Sequence, residues 1–308
     1  MRGFRTDLAM ESVGENTGKV EGVRVSTKHA NGVLHTRIRI ETQHAAELLG
    51  RDQGEYITLE CGDLPHCSAD MRETLARMLA SDLRGMLPSE GEVLVVGLGN
   101  RNVTADALGT RVVERMLVTR HLHQAMAQEL QGKLRGVSAI APGVLGLTGI
   151  ETAELCRGIV QHVKPSAVIA IDALAAYETQ RICSVVQITD TGIQPGSGVG
   201  NHRLGLTQET LGVKVIAVGV PMVVYASTIA RDAMSRLIDG YGVLKPEQED
   251  AADALLKQVT EGFLGDMVVT PREIDELVMN VSSLLADGLN CALQPAIDSE
   301  TLHHYLHL

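Results

Sequence analysis

The sequence has no tryptophan and only two phenylalanines. It therefore offers no row of aromatic faces on which single-stranded bases could stack. Positive charge is also scarce: 27 Lys and Arg stand against 38 Asp and Glu, a formal net charge of −11. Surfaces that bind duplex nucleic acid are basic, so nucleic acid is excluded as the main partner. No apolar run is long enough to cross a bilayer, and residues 1–7 hold no apolar segment of secretory type. The expectation is a cytoplasmic chain with no membrane partner. The five cysteines (61, 67, 156, 183 and 291) are odd in number and scattered, which reads as buried thiols and not as a disulfide framework or zinc site.

Several chemistry-bearing motifs are missing too. There is no H-E-x-x-H. The pairs His121/His123 and His303/His304 lack an acidic third ligand at a recognisable spacing, so no metal is expected. There is no G-x-x-x-x-G-K-[ST]. The G-x-G pairs at 97–99 and 196–198 have Asn102 and Asn201 where a dinucleotide loop needs a third glycine, so no cofactor is expected. Ser197 lies in G-S-G, which is not the nucleophile elbow G-x-S-x-G.

What is present centres on Glu92–Met116. The apolar run Val93–Val96 reads as a strand buried on both faces, broken by Gly97-Leu98-Gly99-Asn100. Asp106 then precedes an apolar-periodic segment that reads as a helix. A second such strand, Val168–Ile171, ends directly on Asp172. Carboxylates at the ends of two parallel strands can be neighbours in space, because open α/β sheets build sites at the carboxyl ends of their strands. The plainer reading is that each Asp caps a following helix. The sharper one is a pair that cannot both ionise cheaply. The charged member takes a proton from water while the protonated member polarises a carbonyl.

Taken in order, residues 20–40 read as a hairpin turning at Asn31-Gly32. A short helix follows at 44–49 and a strand at 56–61. Ser68 caps a helix over 69–86. Strands at 93–96, 137–141, 168–171, 184–189 and 213–218 then alternate with helices at 106–118, 121–131, 150–163, 173–181 and 222–239. Alternation of this kind predicts a mostly parallel sheet with helices on both faces. Residues 245–261 read as an acidic amphipathic helix, and Thr270-Pro271-Arg272-Glu273 as a capping box opening a final helix. No linker splits the chain. It reads as a single α/β domain over 8–308, with a β elaboration at about 20–61 and a core at about 68–292.

Two glycine-rich loops follow predicted strands. Gly143 lies in the first; Asp190, Gly192, Gly196 and Gly198 lie in the second. Both read as turns that shape a cleft. Asp190-Thr191-Gly192 matches the triplet of all-β aspartic proteases, which makes Asp190 a third candidate acid.

The blocks V-G-L-G-N-x-N-V-T-x-D-A-L-G (96–109), A-P-G-V-x-G-x-T-G-I-E-T (141–152), I-A-I-D-A-L-A-A (169–176) and Q-I-x-D-T-G-I-x-P-G-S-G-V-G-N (187–201) closely resemble the germination protease family of endospore-forming bacteria. The resemblance runs from Arg5 to about Ala292. It implies an atypical aspartic-type endopeptidase, with a fold similar to the hydrogenase maturation proteases, that degrades small acid-soluble spore proteins in the spore core. It implies Asp106 and Asp172 as the essential acids, a homotetramer, and a zymogen that trims its own N-terminus. Residues 1–7 would be the pro-segment, cut between Asp7 and Leu8. Two alternatives stand beside this one. The first is a hydrogenase-maturation-type protease that reads a metal; the second is a non-catalytic peptide-binding protein.

Overall fold

The computed structural model describes residues 6–13, 20–124, 134–194, 204–241 and 267–297. Gly196, Gly198, the second histidine pair and the expected helix at 245–261 lie outside the described residues. The chain opens with a short helix, α1 (Ala9–Val13), and the predicted hairpin, β1 (Val23–Ala30) and β2 (Val33–Ile40). Asn31 and Gly32 both turn with positive φ, 52° and 79°, the conformation a two-residue hairpin loop needs. Then come α2 (Gln43–Leu49), β3 (Gly54–Glu60) and α3 (Ala69–Met86). Ser68 caps α3 through its hydroxyl, which accepts from the Met71 N–H.

The core unit follows: β4 (Val93–Gly97), a single 3₁₀ turn at Thr104–Asp106, α4 (Leu108–Val113), β5 (Val137–Ile140), α5 (Leu145–Thr148), α6 (Thr152–Val163), β6 (Ala167–Ala176) and β7 (Val185–Thr189). The described chain ends with α7 (Gln208–Leu211), β8 (Lys214–Tyr225), α8 (Ala226–Tyr241), β9 (Val268–Val269) and α9 (Ile274–Leu293).

All nine described strands form one sheet, in the order β1-β2-β3-β7-β8-β6-β4-β5, with β9 beside β8. The α/β class is as the alternation predicted. Strands β5, β4, β6 and β8 are parallel. The hairpin elaboration is joined edge-on to this parallel part, because β3 pairs antiparallel with β7 and β7 antiparallel with β8. Alternate residues of the parallel strands serve the two faces. Val93, Val95, Ile169, Ile171 and Val218 pack with α3, α4 and α9. Leu94, Val96, Val168, Ala170 and Val215 pack with α6 and α7.

Three expectations are corrected. The predicted helix at 173–181 is strand as far as Ala176, followed by a 3₁₀ turn at Thr179–Arg181. Ala and Leu favour helix, but β8 also runs on to Tyr225 and pairs with β6 from Ala167↔Lys214 to Ala176↔Val224. Tertiary pairing overrides propensity here. Thr270 does not cap the last helix: its hydroxyl donates to the Met222 carbonyl, and α9 starts at Ile274 with no side-chain cap. At 120–124 only a 3₁₀ turn forms among the described residues of the helix expected over 121–131.

The point where β4 meets α4 is packed backbone to backbone. A Cβ on Gly109 would lie 2.3 Å from the Ile171 carbonyl oxygen and 2.5 Å from the Leu98 nitrogen. The glycine that allows close helix–strand packing is therefore Gly109 in the helix, and it is not supplied by the third position of a G-x-G-x-x-G loop. A Gly109→Ala variant is expected to lose about 1–3 kcal/mol through overpacking. Gly85→Ala in α3, where a Cβ meets nothing within 4 Å, should gain about 0.5–1 kcal/mol. Urea titrations of the two variants check the opposite signs.

Candidate active site

Asp106 and Asp172 are brought to one cleft of about 1090 Å³, which Asp7, Gln187 and Asp190 also line. Neither acid is a helix cap. Asp106 ends the 3₁₀ turn, and α4 is preceded by Ala107 with no side-chain cap. The Asp106 carboxylate instead closes its own loop, Oδ2 accepting from the Asn100 N–H at 2.8 Å. That loop needs Gly99: its φ is +96°, and a Cβ there would stand 1.9 Å from the Asp106 carbonyl oxygen.

Asp172 lies inside β6, one residue past the last β4 pairing, Gly97↔Ile171. It is 6% exposed, and its Oδ1 accepts from the Ala173 N–H at 2.9 Å. Burial first, then the charges of Asp106 and Asp7, hold its carboxyl well above the ordinary range. Burial and two neighbouring carboxylates both favour its protonated form.

Asp190 takes a different position. Its Oδ1 accepts from the Glu55 N–H at 2.8 Å, and its own N–H bonds back to the Glu55 carbonyl at 3.3 Å. It ties the end of β7 to the start of β3. Gly192 turns with φ +84°, its Cα so close to Leu206 that a Cβ would lie 2.2 Å from that carbonyl. Both residues shape the wall of the cleft, and Gly143 lines it.

Residues 6–13 of the chain run along one wall of the cleft, which Thr6, Asp7 and Ser12 line. The Asp7 N–H donates to the Ala175 carbonyl at 3.0 Å, and the Ala175 N–H donates to Asp7 Oδ2 at 2.8 Å. Leu8 is fully buried among Leu174, Ala176, Val185 and Val224. The segment is thus docked on the end of β6, with an aliphatic side chain in an apolar pocket.

Three residues that sequence patterning did not single out hold the segment. Arg51 gives Nη2 to the Thr6 and Leu8 carbonyls at 2.7 and 3.2 Å, and Nε to the Ser12 hydroxyl at 2.9 Å. Burial lowers its pKa, against the charge of Asp7. Gln187 bonds both the Asp7 carbonyl and the Ala9 N–H. Arg181 Nη1 stands 3.4 Å from Glu11 Oε1. The one sequence signal for Gln187 is an amide within an otherwise apolar buried strand; Arg51 sits in a polar turn and gives none.

Glu11 itself accepts from the Tyr177 and Glu178 N–H groups at 2.8 and 3.0 Å, and from the Thr6 hydroxyl. Burial outweighs these donors and raises its pKa from 4.5 to about 7. The docked segment therefore binds a proton that the free segment gives up above 4.5, so docking weakens as pH rises from 4.5 to about 7. Exchange protection of the Tyr177 and Glu178 amides, corrected for intrinsic rate, should be higher at pH 5 than at pH 8. Glu11→Gln should flatten that difference.

Among the described residues, no group of three or more His, Cys, Asp or Glu is gathered to hold a metal ion. Among them, too, no helix is long and apolar enough to cross a membrane.

The family model described as germination protease matches residues 5–260. The germination protease of Caldanaerobacter subterraneus subsp. tengcongensis is 42% identical over 319 residues, covering 99% of this chain and 98% of that one. Those of Clostridium acetobutylicum and Bacillus cereus are 40% and 37% identical, covering 99% and 98% of this chain and 100% and 97% of theirs. Among solved structures, a NiFe hydrogenase maturation protease from Thermococcus kodakarensis matches 68% of this chain and 98% of its own, at 15% identity and a TM-score of 0.33. With one family model spanning most of its length and relatives of that family matched nearly end to end, this chain belongs to the germination protease family.

Proposed function

We propose that the chain is an aspartic-type endopeptidase that uses Asp106 and Asp172 to activate water. It trims its own N-terminus between Asp7 and Leu8, and then cleaves small acid-soluble spore proteins in the spore core during germination. The observation that carries this reading is the docked segment. Asp7, bonded to Ala175, lines the cleft that holds the two acids, and Arg51 holds the carbonyl of Leu8 on the other side of the bond. Asp172, buried and facing the charges of Asp106 and Asp7, is the protonated member and polarises the scissile carbonyl. Asp106 is the base that takes a proton from water. The Leu8 pocket selects an aliphatic residue after the cut, and the Glu11 site an acid three residues further on.

Asp106→Asn and Asp172→Asn should each slow cleavage by about 10²–10⁴-fold. The double variant should cost little more, because residues acting as a unit are not additive. Asp190→Asn should cost less than either. A dead Asp190→Asn beside a near-parental Asp106→Asn would sink the assignment. Asp172→Asn also tests the protonation state. Its raised native pKa means that stability falls as pH climbs from 3.8 towards the native value. Asn removes that cost, so the variant should melt no lower than the parent at pH 8.

The same reading includes a homotetramer. Leu48, Val103, Leu147 and Ile150 stand exposed on the single chain at 44–60%, apolar area that partner copies would cover. Light scattering should give about four times the 33.0 kDa chain; a monomer mass at micromolar concentration counts against it.

A further inference from the structure

The Gln187 side chain bridges two backbone groups of the docked segment. Its Nε2 donates to the Asp7 carbonyl oxygen at 2.9 Å, and its Oε1 accepts from the Ala9 N–H at 2.6 Å. Those two groups flank the Asp7–Leu8 bond, one on each side. The orientation of the amide follows from its partners, since a carbonyl only accepts and an N–H only donates. Gln187 is 7% exposed and held in β7 between two neighbours, paired with Thr58 of β3 and with Gly219 of β8.

Gly219 in turn pairs with Asp172 of β6. Gln187, Gly219 and Asp172 thus form one row across three adjacent strands, and residues paired across a sheet present their side chains on the same face. Two inter-strand steps put the backbones of Gln187 and Asp172 ~10 Å apart. Gly219 stands between them, and the Leu174 side chain fills the space over it. A Cβ on Gly219 would lie 2.6 Å from the Leu174 side chain.

We propose that Gln187 is a catalytic residue of this peptidase, the hydrogen-bond donor that meets the negative charge forming on the scissile carbonyl oxygen. This rests on the reading that Asp7–Leu8 is the bond cut. Water's oxygen bonds to the Asp7 carbonyl carbon and passes a proton to Asp106, while the π electrons move onto the carbonyl oxygen. The Gln187 N–H already points at that oxygen, and its bond shortens and strengthens as the charge grows. On collapse the electrons return, the carbon–nitrogen bond breaks, and the Leu8 nitrogen takes the proton held on Asp106 and leaves as the new α-amine, which restores the Asp106 carboxylate. The second bond, to Ala9, keeps the amide in register with the peptide beyond the cut.

The test follows loss of residues 1–7 by mass spectrometry as a first-order process, and kcat and KM on a peptide of residues Phe4–Val13 with trimmed enzyme. Gln187→Met keeps the length of the side chain and loses the donor. Trimming and kcat should fall about 10²–10³-fold, the range found when one oxyanion donor is removed, with a smaller rise in KM from the lost Ala9 bond. Gln187→Glu keeps an acceptor for Ala9 and can donate only when its new carboxyl is protonated. Its activity relative to the parent should therefore recover on acidification, a signature that a merely structural role would not give. If Gln187→Met trims near the parental rate, or loses only KM, the inference is overturned while the proposed function stands. If the parent leaves Asp7–Leu8 intact and cuts elsewhere, the processing site and this inference fall together.

Discussion

Strand β6 outlasts its neighbour. Its pairing with β4 ends at Gly97↔Ile171, and Asp172 is the next residue. From there β6 continues to Ala176 on the support of β8 alone among the parallel strands. The chain leaving β4 turns away through Gly99 and returns Asp106 to the same cleft. The rest of the site depends on this mismatch in length. It buries Asp172 inside β6 just beyond the end of β4, and it leaves Ala175 with an N–H and a carbonyl to give to Asp7.

The electrostatics of the cleft follow from that geometry. Asp7, Asp106 and Asp172 crowd into a space where full ionisation is costly, and Asp172, the buried one, is driven towards the neutral form. The segment that brings Asp7 there is held mainly through its backbone. Arg51 holds the carbonyls of Thr6 and Leu8, Gln187 holds the groups flanking the Asp7–Leu8 bond, and Ala175 holds Asp7. Such contacts fix where a peptide lies without fixing its sequence. Sequence enters through side chains: Asp7 on the Ala175 N–H, Ser12 on Arg51, Leu8 in its apolar pocket, and Glu11 against Arg181 and two backbone amides. Glu11 is the costly contact. It is buried far enough that its donors do not restore an ordinary carboxyl pKa.

Residue patterning alone carried the local elements. Val93–Val96 reads as a doubly buried strand and is one, because continuous apolar runs have no exposed face to satisfy. Asn31-Gly32 and Ser68 act within a few residues of themselves, so their turn and cap are legible without tertiary context. Asp106 and Asp172 were legible as strand-end acids, and the motif blocks around them carried the family. The second half of β6 was not legible. Asp-Ala-Leu-Ala-Ala is good helix sequence, and only a partner strand 45 or more residues away makes it β.

What the sequence by itself determined was the α/β class, the hairpin, the buried parallel strands and the two acids that follow their apolar runs. Each of these follows from the period of apolar residues or from a turn residue acting on its nearest neighbours. The tertiary structure alone decided which acid is driven towards the neutral form, that residues 6–13 dock along the wall of the cleft, and that Gln187, Arg51 and Arg181 reach them. A pKa is set by burial and by charges from distant parts of the chain, and a hydrogen bond between Ala9 and Gln187 spans 178 residues. No local pattern records such distances, because they exist only once the sheet has brought its strands together.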